Sequence, residues 1–293
     1  MHHKIFFIFL VSFATMTKVQ IKGTYPEKDK VLVEGGFFLM GSPKSEGETI
    51  EHPQHKVFLQ TFKISKYEIT NAQYAEFLNA KGNQMNSDIP YIELKEGWSQ
   101  IEKVNGKYIA KKGYEQHPVV LVSWYGANAY AQWVGGKLPT EEQWEYAARG
   151  GSKTQKYTYA GSNTLDEVAW HRQNTDYLQP VGKKKPNELG IYDMNGNVSE
   201  WCEDDFTSYG YKLGNTEEKK EKPSVFSAFF MAIMSKTPSN HSYPEDKVTR
   251  GGHYNQQKVN IRIARRDNRN ALGQIFVGFR VVFMEVKNFN DKK

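Results

Sequence analysis

Two carboxylates and a glycine fall within one short stretch, Asp193-Met194-Asn195-Gly196-Asn197-Val198-Ser199-Glu200. Calcium takes about six to eight hard oxygens, commonly carboxylates together with backbone carbonyls from a tightly curled loop. Asp193 and Glu200 would supply the carboxylates, and Gly196 lets the backbone curl so that neighbouring carbonyls turn inward. Spacing alone leaves a second reading open and favours it: a hydrogen-bonded Asn-Gly turn, with Glu200 capping a nearby group.

Other chemistry-bearing residues are sparse. His52-Pro53-Gln54-His55 places two histidines three apart, but Pro53 argues against one helical face, so an exposed turn pair is the ordinary reading. The chain has one cysteine, Cys202. Neither an intrachain disulfide nor a site built from two of its own thiolates can therefore form. An iron site would need two histidines and a carboxylate converging, and His171, His241 and His253 are the late-chain residues able to supply it. The sequence has no nucleophile elbow, no phosphate-binding loop and no His-Glu-x-x-His helix.

The elements that must hold these residues are short. Residues 31–42 read as two strands around the Gly35-Gly36 turn, and 57–59 and 62–64 are further strand candidates. Thr70 is an N-cap residue, followed by Tyr74, Phe77 and Leu78 at helical spacing. Residues 123–134 repeat that logic, with Ala127, Tyr130, Ala131 and Val134 on one face. Thr140 opens a third helix with Gln143 placed to close a capping box, Trp144, Ala147 and Ala148 turned inward, and Arg149-Gly150-Gly151 as its stop. Residues 152–200 read as ordered loops. A C-terminal strand, loop and strand end in the alternating Val277-Gly278-Phe279-Arg280-Val281-Val282-Phe283.

The chain's 293 residues allow one large domain or two small ones. With 39% hydrophobic and 14% aromatic residues there is ample material for a packed core, which excludes disorder for most of the chain. The 24 glycines and 11 prolines suit a loop-heavy fold rather than a helical bundle. Net charge is 39 − 33 = +6. It is dispersed in short runs such as Lys183-Lys184-Lys185, with no basic stripe of the kind that nucleic acid requires. Residues 1–23 read as a signal peptide, since the apolar run 5–14 is well short of the roughly 20 residues that span a bilayer. No later segment is long and apolar enough to span. The expected mature protein, 24–293, is secreted or periplasmic. Residues 209–246 are the expected insertion, with a charged run, 217–222, and an apolar patch, 225–234.

A series of motifs then occurs in order: Gly35-Gly36-Phe37-Phe38-Leu39-Met40-Gly41-Ser42, Tyr67-Glu68-Ile69-Thr70-Asn71, His117-Pro118-Val119-Val120, and Leu138-Pro139-Thr140-Glu141-Glu142-Gln143-Trp144-Glu145-Tyr146-Ala147-Ala148-Arg149. After these come Pro180-Val181-Gly182, Asn195-Gly196-Asn197-Val198-Ser199-Glu200-Trp201, Arg250-Gly251-Gly252 and Gly278-Phe279-Arg280. Together, over residues 31–283, they resemble the sulfatase-modifying-factor family, which contains formylglycine-generating enzymes. The resemblance implies a single α+β domain of the C-type-lectin-like kind, with little regular secondary structure and calcium ions as internal staples. It assigns one ion to the Asp193 and Glu200 side chains and the Gly196 and Val198 carbonyls, and a second loop to 168–177.

The resemblance also carries a departure. Family members that make formylglycine bind copper through two cysteines shortly after Arg-Gly-Gly, and copper(I) needs such soft thiolates. Here residues 253–266 contain no cysteine, His253 stands where the family usually has Ser, and Cys202 is not at the catalytic position. Formylglycine generation is not expected. The first expectation for function is an exported, calcium-stabilised, non-catalytic binding or scaffolding module. His253, Tyr254, Asn255, Arg266 and Asn268 would face a protein or glycan ligand, because Asn, Arg and Tyr suit adaptable polar contacts. The alternative is a metal-dependent oxidoreductase with an iron site. A third reading is a part of a cell-envelope assembly docking through the patch at 225–234.

Overall fold

A computed structural model describes residues 23–95, 97–207 and 246–284. The expected signal peptide up to residue 22, His241, the body of the expected insertion and its patch at 225–234 lie outside the described residues.

The helices form where capping chemistry sits beside an apolar stripe. Helix α1, Asn71–Lys81, begins at Thr70, whose hydroxyl accepts the Gln73 N–H while Gln73 Oε1 accepts the Thr70 N–H at 2.9 Å. It buries Tyr74, Phe77 and Leu78. Helix α2, Trp124–Trp133, is capped by Ser123 Oγ on the Gly126 N–H and buries Ala127, Tyr130 and Ala131. Helix α3, Glu141–Ala148, has the expected Thr140–Gln143 capping box and buries Trp144 and Ala147. A single turn, α4, spans Leu165–Val168.

The first strands are β1, Lys30–Val33, and β2, Gly36–Met40. They do not pair with each other across Gly35-Gly36. β2 pairs antiparallel with β3, His55–Leu59, while β1 pairs with β4, Phe62–Ser65. Gly35 is the crossing between two sheets: its N–H donates to Thr61 Oγ1 at 3.0 Å, and a Cβ there would lie 2.5 Å from the Leu59 carbonyl oxygen. Two hairpins follow α1. They are β5, Met85–Asn86, with β6, Ile89–Pro90, and β7, Ile101–Val104, with β8, Lys107–Ala110.

The site-bearing sheet has the order β11–β10–β9–β12. It is made of β9, Ser199–Asp205, β10, Asp246–Arg250, β11, Arg266–Asn270, and β12, Val277–Gly278, with β12 parallel to β9 and the other pairs antiparallel. The alternating run at 277–283 is not one strand. After β12 the chain crosses over, and β13, Val282–Met284, pairs with β4 in the sheet β1–β4–β13. The core lies on both sides of β9. One cluster centres on Tyr74, Tyr130, Trp201 and Phe279, the other on Phe62, Ile64, Trp144 and Cys202. The architecture is α+β with short elements, as expected.

Candidate functional site

The loop 193–200 is buried along its whole length. Gly196 has φ +74°, and a Cβ would meet the Trp170 carbonyl oxygen at 2.1 Å, so the curl needs glycine. Asparagines tie the turn down. Asn197 N–H donates to Trp170 O at 3.0 Å, its side-chain amide donates to Glu68 at 2.8 Å, and its Oδ1 accepts the Gln179 N–H at 3.0 Å. Asn195 accepts the Ala160 N–H at 2.6 Å and donates to Ile261 O. This is the hydrogen-bonded Asn-Gly turn of the alternative reading.

The two expected calcium carboxylates have other partners. Glu200 is fully buried and takes a two-pronged pair from Arg280, Nε to Oε2 at 2.6 Å and Nη2 to Oε1 at 2.7 Å, with Trp144 Nε1 donating to Oε2 at 2.8 Å. Asp193 Oδ2 accepts the Gly182 N–H at 2.6 Å, while its Oδ1 is buried without a hydrogen-bond partner. Burial raises the Asp193 carboxyl to about 6, against the pull of the Gly182 N–H and of Arg280. Arg280 and Trp144 take three of the four lone-pair sites of Glu200, which leaves one site, on Oε1, for any further partner. The unpartnered, buried Oδ1 of Asp193 is the kind of hard oxygen that calcium takes, beside the Gly196 and Val198 carbonyls that the resemblance adds to the set.

Copper and iron have no comparable donor set. Cys202 is fully buried on β9, and burial pushes its thiol pKa up, with the carboxylates of Asp204 and Glu141 adding to the shift. His171 is buried against Asp166, with Nε2 2.6 Å from Oδ1. His55 is tied to Pro53 O at 3.0 Å in an exposed turn. Among the described residues no group of three His, Cys, Asp or Glu side chains is arranged to hold a metal.

The expected ligand-facing residues divide. After β10 the chain turns over Trp144 at Gly251, φ +87°. Tyr254 N–H then donates to Asn197 O at 2.9 Å, so this turn stands directly on the buried loop. The His253 ring lies flat on Phe276, with centroids 4.3 Å apart and planes at 2°, and Tyr254 meets Phe276 edge-on at 5.6 Å. His253 is 7% exposed, with Nδ1 unpartnered. Burial, helped by the charge of Arg269, lowers its pKa to about 4, so the ring is neutral near pH 7. Tyr254 and Phe276 are half-buried and Asn255 is exposed. Tyr177, 74% exposed, interacts with Tyr254 from the neighbouring loop.

Arg266 is not part of this surface. It is 3% exposed and reaches inward to Glu141, Nε to Oε1 at 2.6 Å and Nη2 to Oε2 at 2.8 Å, and to Ile50 O at 2.9 Å. Its carboxylate partner at the start of α3 makes it a structural bolt. Asn268 is half-buried on β11 and donates to Asp246 at 2.5 Å. Phe276 and Tyr177 escaped the sequence reading because neither belongs to a pattern. Beside the turn, Arg172, Gln173, Gln257, Lys258 and Val259 line a surface groove of about 670 Å³. Neither of its two cations makes an ion pair among the described residues.

With the geometry in place, comparison with known proteins identifies its kin. Residues 15–284 match the model of the sulfatase-modifying factor enzyme 1-like domain. The chain is 35% identical over 243 residues to the serine/threonine-protein kinase pkn1 of Chlamydia caviae, an alignment covering 83% of this chain and 35% of that protein. It thus spans well under half the length of this relative. It is 32% identical over 223 residues to the formylglycine-generating enzyme of Streptomyces coelicolor, covering 63% of this chain and 71% of the relative. The structure of PvdO from Pseudomonas aeruginosa shares the fold with a TM-score of 0.62 at 24% identity, over 87% of this chain and 94% of that one.

Proposed function

Because the chain belongs to the sulfatase-modifying factor enzyme 1-like family while carrying one cysteine, buried on a strand, we propose that it is a non-catalytic binding module on that scaffold. The observation that carries this reading is the aromatic shelf of His253, Tyr254 and Phe276, which occupies the turn after Arg250-Gly251-Gly252. Soft-metal chemistry there would need thiolates that this turn does not have. A stacked, half-exposed aromatic surface beside the amides of Asn255, Gln257 and Gln173 suits a ligand with flat apolar faces and many hydroxyls. An oligosaccharide is such a ligand. Arg172 and Lys258, which make no ion pair among the described residues, favour one that carries carboxylate or sulfate groups. The N-terminal apolar run supports export, so the ligand is sought in the periplasm or outside the cell.

The test is a glycan array probed with the wild-type chain and with Phe276→Ala. The expected result is retention of a restricted set of glycans, with acidic members ahead of neutral ones. Phe276→Ala should weaken that retention at least tenfold, since removing one stacking ring costs about 1–3 kcal/mol. Equal retention by both proteins, or none by the wild type, would count against the reading.

A further inference from the structure

The groove beside the aromatic shelf is built from two loops, each held in shape by its own hydrogen bonds. Arg172 and Gln173 form the crest of a tight turn, in which the His171 N–H donates to Asn174 Oδ1 at 2.8 Å and the Asn174 N–H to His171 O at 2.9 Å. The Asn174 amide also donates to Ala169 O at 3.0 Å, which fastens the turn to buried chain. Gln257, Lys258 and Val259 form the other wall, at the head of a short 3-10 turn, Lys258–Ile261, anchored by the fully buried Ile261. The Arg172 N–H donates to Gln256 O at 3.3 Å and ties one loop to the other. All five lining residues are exposed, two of them cations and two amides.

The cations are available to a ligand. The carboxylate that acts on Lys258 is Asp166, itself engaged by His171 Nε2 at 2.6 Å and by the Asn174 amide at 3.2 Å. Lys184 adds a third cation at this edge, donating to Asp166 O at 2.6 Å while its Nζ lies 4.2 Å from the centre of the Trp170 ring. Another acid, Asp176, acts at the shelf end, on Tyr254. Anions are therefore favoured in the groove and not over the rings. A guanidinium fork takes two oxygens of a carboxylate or sulfate at once, and an ammonium adds a point charge beside it.

Shelf and groove share no residue, yet the same two loops build both. The chain turns through the Gln256 N–H to His253 O bond at 3.0 Å, leaving the shelf after Tyr254 and reaching the groove at Gln257. The other loop carries Arg172 to the groove and Tyr177 to the shelf. One sugar ring cannot stack on Phe276 and also fill a groove that Phe276 does not line. We propose that the groove is the anion subsite of an extended site for a linear acidic polysaccharide, in which Arg172 and Lys258 hold the carboxylate or sulfate of a unit next to the one stacked on the shelf. The assignment rests on the glycan reading above and adds to it the ligand's length and its charged contact. Two weak subsites joined by one chain reinforce each other through effective concentration, so chain length should matter as much as charge.

The test is isothermal titration of wild type, Phe276→Ala and the double variant Arg172→Gln with Lys258→Gln. The probes are fragments of polygalacturonate and alginate, from one sugar to six, and the same fragments with their carboxylates methyl-esterified. Sulfated and unsulfated galactan fragments form the sulfate arm, and whichever arm responds identifies the group. Wild type should bind acidic fragments about tenfold more tightly than their neutral counterparts, with a further gain of at least about tenfold from one sugar to three. The acidic advantage should shrink to about twofold in half-molar salt. In the double variant acidic and neutral fragments should converge, and in Phe276→Ala both should weaken. An acidic preference that survives in the double variant, or one absent from wild type, would overturn the proposal while Phe276-dependent neutral binding kept the glycan reading. Single acidic sugars binding as tightly as longer fragments would also overturn it, since the groove would then act alone. If Phe276→Ala bound every fragment like wild type, or wild type bound none, both readings would fall. Thermal melts of the two variants alongside wild type confirm that these surface substitutions leave the fold intact.

Discussion

At the scale of single residues, the acid at the start of α3 has a measurable signature. Asp204 Oδ2 accepts the Glu141 N–H at 2.7 Å, with further acids around it. Burial, and after it the charge of Glu142, raises its pKa to about 7, against the pull of the Glu141 N–H. In the unfolded chain the same carboxyl ionises near pH 4. Between about pH 4 and 7 the native state therefore holds more protons than the unfolded state, and this residue's contribution makes stability fall as pH rises through that window, then level off. Asp204→Asn keeps an acceptor for the Glu141 N–H and removes the titration. Urea midpoints of the variant should exceed those of wild type at pH 8 and converge with them near pH 4; parallel curves at both pH values would sink the assignment. The same scale shows what was legible. A single cysteine could be counted, and the missing thiolates after Arg-Gly-Gly were readable directly. The burial of Arg266 was not, because its partner Glu141 lies 125 positions away and no local pattern records that meeting.

At the scale of elements, helices and several strands announced themselves, but strand partners did not. Thr70 with Gln73 and Thr140 with Gln143 are local devices that act within four residues, so their sequence is sufficient. Strand partners are chosen by the whole fold. The Gly35-Gly36 step looks like a hairpin turn yet separates strands of two sheets, and the run at 277–283 is divided between the sheet of β9 and the sheet that holds β1. The hairpin β7–β8 did carry a signal that the reading passed over, since Asn105 and Gly106, φ +51° and +82°, form its turn. The loop at 193–200 shows the same limit. Its curl was readable from Gly196, but the Glu200–Arg280 pair was not, because the partners lie 80 positions apart. Gly196→Ala tests the curl. The new methyl combines a strained φ with a contact of 2.1 Å to the Trp170 carbonyl, in a segment with no room to move. A loss of at least about 3 kcal/mol is expected in chemical denaturation, and a loss below about 1 kcal/mol would mean that the loop is softer than its hydrogen bonds imply.

At the scale of the whole molecule, the order of the motifs carried more information than any element, because one scaffold fixes all of their positions together. That scaffold closes through its last described strand. β13 adds to β4, whose other neighbour is β1, so the earliest and latest of the described strands meet in one three-stranded sheet. Val282 is the closing point. It pairs with Ile64, it exchanges two backbone hydrogen bonds of 2.9 Å with Lys137, and it is 2% exposed. Next to it Phe283 packs on Tyr25, with centroids 5.4 Å apart, and Phe279 fills the main core beside Tyr74 and Tyr130. Here the register joins three distant segments with no disulfide to hold them, so Val282→Asp places an unpaired charge in the seam of the whole fold. We expect that variant to lose at least about 4 kcal/mol, and to lose glycan retention together with stability, whereas Phe276→Ala loses retention alone. Thermal melts run beside the array separate the two. If Val282→Asp melted like wild type, β13 would be an appendage to the sheet, and the shelf's rigidity would need another source.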